Sequence, residues 1–270
     1  MERPAWAPPG IDISVPSVSR MYDFYLGGSH NFEVDREAAR KAMEFMPGLP
    51  KVMQANRAFM RRAVRHAVDN DVTQFLDIGS GIPTFGNVHE VARAADPAAR
   101  VVYVDHDPVA VAHSRAVLDG DEGAAVVAAD LRKPADILRS PEVSRLLDLE
   151  RPVALLLVAV LHFLEEEDRP DEAVTELLDA LAPGSLLVIT HASYEGIPLS
   201  EEQAGGTVGV YRNIRSPLVM RSGAEITRFF AGTELIEPGL VPMPLWRPDS
   251  PVEEEDPYAF SGFAGVGRKA

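Results

Sequence analysis

From Gln74 onward the chain repeats one pattern: a short unbroken apolar run, then a segment with helical spacing. The runs are "QFLDIG", "RVVYVD", "AAVVAAD", "VALLLVAV" and "SLLVIT". A strand with one wet face alternates apolar and polar residues, whereas a strand covered on both faces does not. The pattern therefore predicts an α/β fold, a mostly parallel sheet with helices on both faces. The cover comes from "NVHEVARAA", "PVAVAHSRAVL", "PADILRSPEVSRLLD" and "DEAVTELLDALAPG". Asn87 with Glu90, and Ser222 with Glu225, have the spacing of helix capping boxes. Two late runs, in "ELIEPGLV" and "YAFSGFAGVGR", flank the long connection "PMPLWRPDSPVEEEDP". They predict an antiparallel hairpin at the sheet edge, so the terminal strand is reversed.

Two helices are predicted ahead of this domain. The first is "EVDREAARKAMEFM", stopped by "PGLP". The second, over 51–70, gathers Val52, Phe59, Met60, Ala63, Val64 and Ala67 on one side and Arg57, Arg61, Arg62 and Arg65 on the other. The arginines read as a solvated face, with Arg57 the candidate ligand contact. Before both helices stands "RMYDFYLGGSHNF", which reads as neither helix interior nor strand. The stretch "HASYEGIPLSEEQAGGTVGVYRNIRSP" also reads as irregular. The expected organisation is a helical cap or lid over residues 1–70 and a ligand-binding domain over 71–270, together one compact unit.

Composition excludes several classes of function. Among 270 residues there is no cysteine, so disulfides and thiolate metal sites are absent, and the other candidate ligands form no metal cluster by spacing. The formal charge of −15 opposes nucleic-acid binding. The Pro-rich start has no signal-like apolar core, and the longest apolar run, 153–164, is too short for a bilayer. A soluble cytoplasmic protein without membrane association is expected.

In open α/β sheets, ligands bind beyond the carboxyl ends of the strands. The first strand ends in "DIGSG", where Gly79 and Gly81 let the backbone pass close to a ligand. The second ends at Asp105, a carboxylate placed for ribose hydroxyls, and the third at Asp130, within reach of an adenine amino group. This is a nucleoside-shaped set. The dinucleotide fingerprint G-x-G-x-x-G fails at its third glycine, where Thr84 stands after Pro83. With no phosphate clamp in view, an adenosyl ligand without phosphate suits these residues better than a nicotinamide dinucleotide.

"FLDIGSG", "VVYVDHDP" and "AAD" resemble the motifs of class I S-adenosylmethionine-dependent methyltransferases. "SRMYDFYLGGSHNFEVDREAA", "NRAFMRRAV", "QFLDIGSGIPTFGNVHEVA" and "YVDHDPVAVAHSRAVL" are similar to a bacterial S-adenosyl methyltransferase family with a YDxxLGG N-terminal motif. The similarity runs from about Ser17 to the C-terminus; its opening segment is highly specific, its glycine motif weakly so. It implies a Rossmann-like fold and S-adenosylmethionine as cofactor, and leaves the methyl acceptor open. It places Gly79, Ser80 and Gly81 by the methionine, Asp105 on the ribose and His106 beside the adenine. Asp130 and Leu131 would meet the adenine edge, and Ala159 and Val160 would lie near the sulfonium.

Residues 20–32 are expected to fold back over the ligand, Tyr22 packing on it and Arg20 or Arg57 meeting its carboxylate. The competing reading is that these aromatics are a hydrophobic staple. His162 and His191, after the fourth and fifth strands, are candidate general bases, with a structural role as the alternative. The functional expectation is methyl transfer to an O, N or C nucleophile on a small molecule. A non-catalytic adenosyl-binding sensor or regulatory protein is the alternative, and a nicotinamide oxidoreductase comes third. Oligomeric state is left open.

Overall fold

The structure is a computed structural model, and it describes residues 12–83, 86–195, 200–214, 217–250 and 262–270. Thr84, and Tyr258 at the start of the expected last strand, lie outside the described residues.

Among the described residues, eight strands form one sheet: β1 (Gln74–Ile78), β2 (Arg100–Asp105), β3 (Ala124–Ala128), β4 (Ala154–Val158), β5 (Leu186–Ala192), β6 (Thr233–Leu235), β7 (Val241–Pro242) and β8 (Gly262–Lys269). The order is β3-β2-β1-β4-β5-β8-β6, with β7 also pairing to β8. Strands β1 to β5 are parallel, while β8 runs antiparallel to β5 and β6. The terminal strand is reversed as expected, but it is inserted between β5 and β6 rather than lying at the edge. Its glycines explain the fit, since a Cβ on Gly267 would stand 2.2 Å from Thr233 Oγ1 and one on Gly265 would meet Phe230 at 3.0 Å.

The pleat sends Phe75, Val101, Leu156 and Val188 to one face, against Phe59, Met60 and Val64 of α3 (Leu49–Val68) and Trp246. It sends Leu76, Val102, Leu155 and Leu187 to the other, against Ile137, Val143, Leu177 and Phe229. Those partners come from α6 (Pro134–Leu138), α7 (Pro141–Leu146), α8 (Pro170–Asp179) and the turn after α10 (Gly223–Arg228). Helices α4 (Val88–Ala95) and α5 (Pro108–Val117) follow β1 and β2. Both expected capping pairs are made: Asn87 N–H donates to Glu90 (2.7 Å) and Ser222 N–H to Glu225 (2.7 Å).

Three expectations need correction. Part of the segment read as neither helix nor strand is helix α1 (Val18–Tyr25). Its two turns hold only two apolar i,i+4 pairs, Val18 with Tyr22 and Met21 with Tyr25, and Met21 and Tyr25 bury against α2 (Glu33–Phe45) and α9 (Glu201–Asn213). Helix α9 itself fills much of the stretch read as irregular. Gly205, Gly206 and Gly209 hide its helical character, yet a Cβ on Gly206 would lie 2.3 Å from the Phe45 ring, so close packing demands one of them. Arg62 is not on a solvated face either. It is buried and donates to the carbonyls of Trp246 and Met243, each at 2.8 Å. No described helix is long and apolar enough to cross a membrane.

Arg62→Met keeps the apolar stem and strands two buried carbonyls. Urea unfolding is expected to show a loss of about 3 kcal/mol, from unsatisfied acceptors at about 1–3 kcal/mol each; a loss below about 0.5 kcal/mol would contradict this reading.

Candidate functional site

The tip of β1 turns sharply because Gly79 and Gly81 have φ of +76° and +68°, a region that disfavours side chains. A Cβ on Gly79 would stand 2.5 Å from Val160 Cγ2, so the turn packs directly on the tip of β4. Gly79 N–H donates to Val104 O (2.8 Å) and Gly81 N–H to Asp105 Oδ2 (2.7 Å). The other Asp105 oxygen accepts Asp107 N–H (2.8 Å). Asp105 is buried, and burial raises its pKa while these two N–H groups oppose the rise. Asp107 in turn caps α5 through Val109 N–H (2.7 Å) and accepts the Ser17 hydroxyl.

Above these tips lies a cleft of about 790 Å³. It brings together eight of the expected residues: Arg20, Gly79, Asp105, His106, Asp130, Leu131, Ala159 and Val160. Its walls carry six carboxylates, from Asp12, Asp105, Asp107, Asp130, Glu165 and Asp168, against two guanidiniums, Arg20 and Arg132. Both arginines are already paired. Arg132 holds both Asp130 oxygens, at 3.0 and 2.6 Å, and lies 3.8 Å from Asp168. Burial tends to raise the Asp130 pKa, but Arg132 and its N–H outweigh it and leave the carboxyl below its ordinary value. Arg20 bonds Asp35 at 2.9 Å and the Val15 carbonyl at 2.6 Å.

Helix α1 closes one side of the cleft. Fully buried Asp35 fixes it by accepting Ser17 N–H, the Arg20 guanidinium and Phe32 N–H, at 2.9, 2.9 and 2.8 Å. The turn after α1 is held by Asp23, which accepts His30 N–H and the Asn31 amide. Gly28 is packed so tightly on Asp23 that a Cβ there would lie 2.0 Å from its carboxylate.

The remaining expected residues line two smaller spaces beside the cleft. Tyr22, His162 and His191 line an apolar cavity of about 70 Å³, and Val18, Ala159 and Phe163 face both this cavity and the cleft. A directional hydrogen-bond chain runs along it. Ala159 N–H donates to Thr190 Oγ1 (2.8 Å), Thr190 to Asn56 Oδ1 (2.6 Å), Asn56 to the Tyr22 hydroxyl (2.8 Å), and Tyr22 to the Met53 carbonyl (3.3 Å). The chain pins Ala159 in a left-handed conformation, φ +56°, where a non-glycine residue is strained. His162 Nδ1 accepts Ala192 N–H (3.3 Å), which leaves its ring proton on Nε2. His191 donates from Nδ1 to Ala192 O (2.7 Å) and accepts at Nε2 from Arg221 (3.0 Å). Burial pushes the His162 pKa well down and that of His191 to about 4, so both rings are neutral.

Arg57, Ser80 and Gly81 border a third space, below the glycine turn, with Asp77 and Tyr103. The structure adds Asp77, Ser17, Phe163 and Thr190 to the residues around these spaces. Asp77 was visible in "LDIGSG" as a charge inside an apolar strand. Thr190 and Phe163 look like ordinary strand and turn residues, and nothing in the sequence marks them.

The comparisons with known proteins bear on this geometry. A family model described as S-adenosyl methyltransferase matches residues 4–270. The chain belongs to this family. A protein of Thermobifida fusca YX, described as a candidate methyltransferase, is 43% identical with a TM-score of 0.92, covering 98% of this chain and 99% of its own. A DUF574 family protein of Streptomyces avermitilis MA-4680 is 38% identical with a TM-score of 0.91, covering 96% and 99%. In fold alone, the 1,6-didemethyltoxoflavin N1-methyltransferase of Burkholderia thailandensis is similar, at 16% identity and a TM-score of 0.50, covering 87% and 89%. Among curated proteins there is no match. The protein is an S-adenosylmethionine-dependent methyltransferase.

In this methyltransferase Asp77 is a buried carboxylate beside the glycine turn. Burial raises its pKa to about 7; Arg57 opposes the rise and Asp105 adds to it. The folded state therefore binds a proton that the unfolded state releases near pH 4, and this contribution to stability falls as pH rises from about 4 to 7. Asp77→Asn removes the dependence. From pH 5 to 8 the urea-unfolding free energy of the wild type is expected to drop by up to about 3 kcal/mol more than that of the variant. Parallel pH profiles for the two proteins would contradict the assignment.

Proposed function

We propose that the 790 Å³ cleft binds S-adenosylmethionine and that the methyl passes in line to an O, N or C nucleophile on a small molecule. The observation that carries this reading is the acidic cleft built on the tight Gly79 turn. Six carboxylates repel a pyrophosphate and favour a ligand bearing a sulfonium and an ammonium. Gly79 lets the backbone approach that ligand where a side chain has no room.

Each Asp105 oxygen accepts one N–H in the structure and keeps a second lone pair for a ribose hydroxyl. Asp130 and Leu131 are placed for the adenine edge, and exposed His106 lies beside it. Gly79 borders the methionine end, with Ser80 and Gly81 forming the back of the same turn. Arg20 in the cleft wall, or Arg57 across the turn, is the partner for a carboxylate. Ala159 and Val160 sit where the sulfonium belongs. The cofactor supplies an electrophilic methyl on a positively charged sulfur. The protein's part is orientation, worth up to about 7–11 kcal/mol in favourable cases, and exclusion of water by the Asp35-held helix α1.

Calorimetry with S-adenosylmethionine, S-adenosylhomocysteine and NAD tests the reading. Both adenosyl ligands are expected to bind and NAD to give no heat, and Asp105→Asn is expected to weaken S-adenosylhomocysteine by about 10- to 100-fold, the worth of one to two charge-assisted hydrogen bonds. NAD binding without a response to either adenosyl ligand would overturn it.

A further inference from the structure

We propose that the 70 Å³ cavity behind Ala159 and Phe163 is the methyl-acceptor site, and that it takes an uncharged, mostly apolar molecule whose nucleophile is a neutral nitrogen, an amine or a heteroaromatic ring nitrogen. The inference rests on the cleft being the cofactor site, because Ala159 and Phe163 face both spaces. A methyl held at Ala159 in the cleft has this cavity as its neighbour on the far side.

The walls define the class of guest. No Asp, Glu, Lys or Arg lines the cavity among the described residues. A charged guest would lose its hydration there without a partner, at a cost far above what dispersion contacts return. The same walls hold an amine in its neutral form, because burial disfavours the protonated state. Met46, Met53, Met220 and Met243 contribute much of the lining. Methionine side chains re-pack around guests of different shape, so a ring somewhat larger than the resting volume is accommodated.

The nature of the nucleophile follows from the hydrogen bonds. An alcohol or phenol must give up its proton as the new bond forms, and it needs a base with a spare lone pair. The cavity offers none among its imidazoles. His162 Nδ1 already accepts Ala192 N–H, and both nitrogens of His191 are engaged by Ala192 O and Arg221. The Tyr22 hydroxyl accepts from Asn56 and donates to Met53 O. A neutral nitrogen needs no base. Its lone pair forms the N–CH3 bond as the C–S bond breaks and the bonding pair stays on sulfur. The positive charge moves from sulfonium to nitrogen at the boundary with the carboxylate-lined cleft. The apolar walls then favour release of the cationic product, and where the nitrogen carries a hydrogen, that proton leaves to water after release. His162 then acts through its Nε2–H, which has no acceptor among the described residues and is left to orient a polar atom of the guest.

The test uses full-length protein labelled with 13C-methyl methionine and saturated with S-adenosylhomocysteine at pH 8. Aniline, pyridine and phenol are neutral probes; benzylammonium and benzoate are charged ones. The neutral probes are expected to bind at least tenfold more tightly and to shift the resonances that disappear in Met53→Leu and Met220→Leu. With S-adenosylmethionine in place of its product, aniline or pyridine is expected to be N-methylated at least tenfold faster than phenol is O-methylated. Charged probes binding as tightly as neutral ones, phenol methylated as fast as the nitrogen probes, or no probe moving those resonances would each overturn the proposal. Binding of S-adenosylhomocysteine, read in the same samples, reports separately on the cleft.

Discussion

The site depends on one contact, the Gly79 backbone lying flat against Val160. It brings the tips of β1 and β4 together at a distance no other residue type permits. Gly81 N–H on the Asp105 carboxylate then ties the same turn to β2. Three strand ends thus converge through one left-handed turn, and the cleft opens directly above it. One strained position, Ala159, sits beside the left-handed Gly79 turn at the heart of the site. Neighbours impose its geometry, as expected where strain is kept for function.

The N-terminal segment is attached to this turn by polar links rather than by apolar packing alone. Asp35 draws Ser17, Arg20 and Phe32 together, and Ser17 passes the connection on to Asp107 beside Asp105. Buried charge is costly unless every partner is present, so such a hub favours one arrangement of α1 over loosely packed alternatives. The aromatics lie on the other side of the same helix. Tyr25 packs into the cluster with α2 and α9, and Tyr22 faces the apolar cavity. One two-turn helix therefore serves both spaces, with Ser17 to Arg20 in the cleft wall and Val18 and Tyr22 in the cavity wall. That dual service answers why aromatic, glycine and charged residues crowd a segment so far ahead of the first strand.

Strand runs and the acidic tips were readable because they obey local rules: continuous apolarity for strands buried on both faces, and ligand placement at their carboxyl ends. Hence Asp105, Asp130 and Gly79 could be assigned to the strand tips without coordinates. Helix α1 escaped because two turns carry too little periodicity, and α9 because its glycines answer to Phe45, a partner remote in sequence. Arg62 and Arg221 look like surface cations in the sequence. Their carbonyl partners become visible only when the chain is folded. The division between cleft and cavity was equally invisible, since it turns on which way the tip of β4 bends at Ala159.

A crystal structure of the protein with S-adenosylhomocysteine is the most direct measurement of this account. It is expected to show the ribose on Asp105, the adenine between His106 and Leu131, and the sulfur at Ala159 facing the methionine-lined cavity. A nucleoside bound away from the tips of β1 and β2, or a sulfur turned from Ala159 toward bulk water, would contradict it.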